Sequence, residues 1–151
     1  MHALAQFFRE YKKGYEQLIL MGKSFGCATA IYLAVNHRGM FHKIILESGF
    51  TSAQDAVKFN CKERVPCNLG CLIHHSCSIM WRSIDRIDKV EEPILFITGI
   101  EDRIVPSFMS VELKEKATNA AYTELFEIEY LGHNGLWKKH KGYWDRVDQY
   151  L

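Results

Sequence analysis

The sequence predicts an α/β domain, a mostly parallel sheet flanked by helices. Three observations carry that expectation. Several short segments are apolar throughout, as strands buried on both faces must be. They alternate with segments whose apolar residues recur at helical spacing, which is the pattern of a sheet covered by crossover helices. Glycine and proline punctuate the boundaries: Gly14 closes a helical pattern, Pro93 introduces a strand and Pro106 stands near the first turn of a helix.

Taken in order, residues 3–15 read as an amphipathic helix. Leu4, Phe7, Phe8 and Tyr11 share a face, with Arg9, Glu10, Lys12 and Lys13 among them. Residues 18–21 form a short apolar strand. Ala28, Ile31, Tyr32 and Val35 then follow the i, i+3, i+4, i+7 rule, so residues 24–37 are expected to be a helix with one buried face. A second strand is expected over 43–46, a third over 94–97, a helix over 106–117, a fourth strand over 125–130 and a terminal helix over 136–151. The stretch 51–92 is longer than a simple crossover and reads as a cap-like insertion within a single domain spanning 1–151.

Composition narrows the function. The chain is 48% hydrophobic and carries a net charge of +1 from 19 basic and 18 acidic residues. A balance this even offers no field for nucleic acid or an anionic membrane. No apolar run approaches the ~18 residues of a membrane span. The first residues lack the pattern of a signal peptide, so the expected location is cytoplasmic. The five cysteines, Cys27, Cys61, Cys67, Cys71 and Cys77, are then expected to be reduced thiols. Four of them lie in the insertion with His74 and His75. No C-x-x-C pair is present, so small, partly buried residues are favoured over a zinc site, and no metal or organic cofactor is expected.

"LILMGKSFGCATAIYLAV" is the most informative stretch. "GKSFG" fits G-x-S-x-G, with a strand before it and a helix after it. Such a turn holds Ser24 in a strained conformation with its hydroxyl exposed. Side chains at Gly22 and Gly26 are expected to collide with each other or with neighbouring elements. The first helical turn brings backbone N–H groups and a positive dipole end to Ser24, and the Phe25 N–H is the candidate oxyanion donor. A serine nucleophile needs a base, and the base needs an orienting acid. "GIEDRIVP" puts Asp102 after the third strand, with Glu101 its near rival. "LGHNGLW" puts His133 after the fourth. The order serine, acid, histidine is that of this scaffold. His2, His37, His42 and His140 have simpler explanations as exposed or capping residues. A phosphate-binding loop is disfavoured, because the glycine required upstream of Gly-Lys-Ser is replaced by Leu18 or Gln17.

At these residues the chain resembles an α/β-hydrolase-fold serine hydrolase, specifically its C-terminal two-thirds. It is similar to the membrane-anchored α/β-hydrolase domain-containing proteins of the protein 13 type and to serine-aminopeptidase and prolyl-oligopeptidase-like relatives. "GKSFGCATAIYLA", "KIILESGFTSAQDA", "PILFITGIEDRIVP" and "LGHNGLWKKHKGYWDRVDQYL" carry the resemblance. It implies hydrolysis of an ester, thioester or amide of a small acyl, peptide or lipid-like substrate, with Ser24 as nucleophile, His133 as base and Asp102 as acid. It also allows membrane association. Two departures stand out. Cys27 occupies a place where a second glycine is common. The strands that precede the elbow in relatives, and the loop supplying their second oxyanion N–H, have no counterpart before Leu18. The alternative expectation is therefore a truncated, non-catalytic hydrolase-like binding module, and an exposed sheet edge beside residues 18–21 predicts self-association.

Overall fold

A computed structural model describes residues 16–64 and 81–151, with only the backbone described for 61–64. Among these, four strands form one parallel sheet in the order β1 (Ile19–Lys23), β2 (Lys43–Glu47), β3 (Ile94–Gly99) and β4 (Thr123–Ile128). The expected α/β architecture is therefore present. The helix expected over 3–15 lies outside the described residues.

Alternation along the strands divides the core between two faces. Ile44, Leu46, Ile94 and Phe96 point to one face. There they meet Cys27, Ala30, Ile31 and Ala34 of helix α1 (Phe25–Asn36), Leu113 of α3 (Ser107–Lys116) and the short 3-10 turn Ile87–Lys89. Ile45, Leu95 and Ile97 point to the other face, against Leu136 of α4 (Leu136–Lys139) and Tyr143, Val147 and Tyr150 of α5 (Tyr143–Tyr150). Ile94, Leu95, Phe96 and Ile97 are all 0% exposed, so β3 is the centre of the described core. Side chains of this size contribute ~1.5–3 kcal/mol each when fully buried.

Apart from shifts of a single residue, four boundaries differ from expectation. The third strand runs on to Gly99, two residues beyond the expected end at 97. The first strand runs on to Lys23, because Gly22 and Lys23 stay in register with Leu46 and Glu47. The fourth strand covers 123–128 rather than 125–130. Its register is set by β3, in which Ile94 pairs with Thr123 and Gly99 with Ile128. Tyr130 has already left the sheet, with φ 58° and 81% exposure. The expected terminal helix is two helices, because His140 adopts an extended conformation and Gly142 caps the second.

Helix α2 (Ala53–Arg64) follows β2. Ser52 caps it: its hydroxyl accepts the Asp55 N–H at 3.0 Å and donates to the Asp55 carboxylate at 2.5 Å. Further along, Arg82 bridges to Ser52, and the Ile84 N–H donates to the Thr51 carbonyl. Residues 65–80, with Cys67, Cys71, Cys77, His74 and His75, lie outside the described residues, as does the Cys61 side chain. No helix of the described residues is long and apolar enough to cross a membrane. Among those residues β1 pairs on one side only, and Met21 is 45% exposed there.

Candidate active site

Parallel strands bring their C-terminal ends to one edge of the sheet, where ligands of open α/β sheets bind. Ser24, Asp102 and His133 follow β1, β3 and β4 and meet at that edge. Ser24 adopts φ 51° and ψ −118°, a left-handed conformation that costs on the order of 1–3 kcal/mol for a residue with a side chain. Its N–H donates to the Glu47 carbonyl at 2.8 Å and its carbonyl accepts from the Cys27 N–H at 2.9 Å. The turn is thus pinned to β2 on one side and to α1 on the other.

Gly22 is required there. A Cβ on it would lie 2.5 Å from the Gly26 carbonyl oxygen. Gly26 departs from expectation, since a Cβ there meets nothing within 4 Å among the described residues. The collision is between the Gly22 position and the Gly26 backbone, and a side chain on Gly26 has no part in it. Cys27 takes its place without crowding. Its S–H faces the Gly22 and Glu47 carbonyls, each 3.2 Å away, and burial raises its pKa well above the usual thiol range.

Asp102 is held by its own loop. One Asp102 oxygen, Oδ1, accepts the N–H groups of Ile104 at 2.8 Å and Val105 at 2.9 Å. That leaves Oδ2 facing His133 Nδ1 at 2.7 Å, with the Asp102 side chain fully buried and that of His133 10% exposed. An ionised carboxylate can only accept, so Nδ1 carries a proton towards Asp102, and in a neutral ring Nε2 is then the acceptor. Ser24 Oγ lies 3.1 Å from Nε2. Glu101, the rival acid, is exposed; its N–H ties the acid loop to the Leu131 carbonyl at 3.0 Å.

Sequence reasoning missed two positions. Gly99 ends β3 where a Cβ would stand 2.3 Å from the Leu131 oxygen, so the loops bearing Asp102 and His133 can meet only over a glycine. Glu47, 1% exposed, closes β2 directly beneath the elbow. A carboxylate directly after the apolar run "IIL" was the available signal. Beside the serine, Phe25 opens α1 and its ring meets Phe50 at 5.2 Å and Trp81 at 6.4 Å, both edge-on.

The fold and this edge define an α/β hydrolase. The family model described as "Putative esterase" matches residues 2–151, and the chain belongs to that family. The membrane protein YNL320W of Saccharomyces cerevisiae is 30% identical over 137 residues, covering 89% of this chain and 45% of its own length. Protein bem46 of Schizosaccharomyces pombe is 34% identical over 91 residues, covering 60% of this chain and 29% of its own. The chain thus spans less than half the length of these relatives. Among solved structures, an esterase from Pyrococcus furiosus superposes with a TM-score of 0.75 at 16% identity, covering 98% of this chain and 57% of that one. An acylaminoacyl peptidase from Pyrococcus horikoshii does so with a TM-score of 0.62 at 16% identity, covering 90% and 23%.

Proposed function

We propose that the protein is a serine hydrolase that cleaves an ester, thioester or amide through an acyl-enzyme. The observation that carries this reading is the continuous relay from Asp102 Oδ2 through His133 to Ser24 Oγ, at 2.7 and 3.1 Å. Ser24 Oγ attacks the substrate carbonyl carbon while His133 Nε2 takes its proton. Asp102 holds the ring and offsets the charge of the imidazolium. The carbonyl oxygen becomes an oxyanion, and the Phe25 N–H at the start of α1 is its donor. The tetrahedral intermediate then collapses. The leaving group departs with the proton from Nε2, and the acyl group stays on Ser24. Water repeats the sequence, giving its proton to Nε2 and its oxygen to the acyl carbon, and Ser24 regains its proton as the acid leaves.

Small acyl, peptide and lipid-like substrates all suit this chemistry, and the exposed Phe25 and Trp81 rings favour an apolar acyl group. Covalent labelling by a fluorophosphonate probe, compared with the Ser24→Ala variant, is the test. Labelling that disappears in the variant supports an activated Ser24. Folded protein that takes no label overturns the reading in favour of a hydrolase-like binding module.

A further inference from the structure

Glu47 sits where three elements meet. Register pairs it with Lys23, the residue before the nucleophile. The two side chains share a face of the sheet, with Lys23 Nζ 2.7 Å from Glu47 Oε1. From α5, the Tyr143 hydroxyl donates to Glu47 Oε2 at 2.6 Å. The backbone of the same residue accepts from the Ser24 N–H at 2.8 Å and the Cys27 thiol at 3.2 Å. One buried residue therefore holds the elbow by its carbonyl and is itself held by its carboxylate. The Tyr143 ring is 0% exposed and Lys23 is partly exposed, so the carboxylate has one dry partner and one wet one. Burying a carboxylate is costly unless it is paired and hydrogen-bonded. An apolar residue on β2 would pack against α5 without that cost, yet could fix neither Lys23 nor Tyr143 in place.

We propose that Glu47 is a positioning residue: held by its carboxylate between Lys23 and Tyr143, it sets the strained turn at Ser24. The proposal rests on the serine-hydrolase reading above. It requires that loosening the carboxylate should move Ser24 Oγ relative to His133 Nε2 while the substrate-facing surface stays as it is.

The test compares the full chain with its Tyr143→Phe, Glu47→Gln and Tyr150→Phe variants. The readouts are kcat and KM for p-nitrophenyl acetate, the rate of fluorophosphonate labelling and the thermal unfolding midpoint. Tyr150 is the control, because it lies on the same helix and its hydroxyl donates to the Ile44 carbonyl on β2 without touching Glu47. Tyr143→Phe and Glu47→Gln are expected to lower kcat and labelling by about tenfold or more, since small displacements of a reacting group cost up to ~100-fold, with KM changing less than about twofold. Tyr150→Phe is expected to lower the midpoint and leave both rates near wild type. Rates that stay at the wild-type value in the two Glu47-network variants overturn the positioning role alone. So do rates that fall in all three variants in step with stability. A parent chain that neither labels nor turns over ester overturns the hydrolase reading, and this proposal with it.

Discussion

The carbonyl oxygen of Leu131 occupies the space that a side chain on Gly99 would need, 2.3 Å from its Cβ. This close approach lets the loop after β3 lie against the loop after β4, and it is reinforced by the Glu101 N–H donating to Leu131. Gly99→Ala is expected to push the two loops apart. Overpacking of this kind costs ~1–3 kcal/mol, read from urea unfolding midpoints. Because Asp102 and His133 ride on these loops, fluorophosphonate labelling should fall as well. Wild-type stability and labelling in the variant would mean that the loops separate freely.

Asp102 meets His133 through a single oxygen, its other being taken by two backbone N–H groups. Asp102→Asn offers an amide N–H to His133 and favours the wrong ring tautomer. Ester turnover is expected to fall on the order of 10,000-fold, with circular dichroism unchanged. Glu101→Gln, at an exposed position, should leave turnover intact. A reversed result would make Glu101 the acid.

The two elbow glycines should respond differently to substitution. Gly22→Ala drives a methyl into the Gly26 carbonyl and is expected to destabilise the turn and abolish labelling. Gly26→Ala meets open space among the described residues and lies within α1. Its expected effect on stability is a gain of ~0.5–1 kcal/mol, because glycine is a poor helix former. Equal losses in both variants would contradict the asymmetry.

Alkali should loosen α5. Burial pushes the Tyr150 phenol up to about 12, and burial together with the hydrogen bond to Glu47 raises Tyr143 as well. An unfolded tyrosine ionises near ~10. The unfolded chain therefore sheds these protons first, and stability falls with pH. The contribution is fully present below about pH 10 and is lost as pH rises towards the folded values. Urea midpoints measured alongside tyrosinate absorbance should decline across that window. Midpoints that stay flat would show that the two phenols are hydrated.

Helix α2 should depend on its cap. Ser52→Ala removes the acceptor for the Asp55 N–H and one donor to its carboxylate. A loss of ~1 kcal/mol is expected, measured by chemical denaturation. Ser52→Asp should recover most of it.

Much of the fold was legible because burial on both faces leaves a strong mark on composition. "KIIL" and "ILFI" could be little else than central strands, and the spacing of Ala28, Ile31 and Val35 marked a helix with an apolar face. The fourth strand was displaced by two residues, because its ends depend on pairing with β3 and its own apolar content does not reveal that register. The break at His140 was missed because the apolar spacing of Leu136, Tyr143, Val147 and Leu151 suits either one helix or two.

By itself the sequence determined the order of the chemistry: a serine between glycines after one strand, an aspartate after another and a histidine after the last. Local turn propensity and apolar runs are properties of neighbours in the chain, so they can be read from it. Only the tertiary structure decided that Asp102 rather than Glu101 faces His133, that Gly99 is the position where two loops touch, and that Glu47 joins the elbow to α5. Each of these depends on atoms between 20 and 96 residues apart in the chain. Their proximity comes from sheet register and helix docking, which set distances that no local pattern encodes.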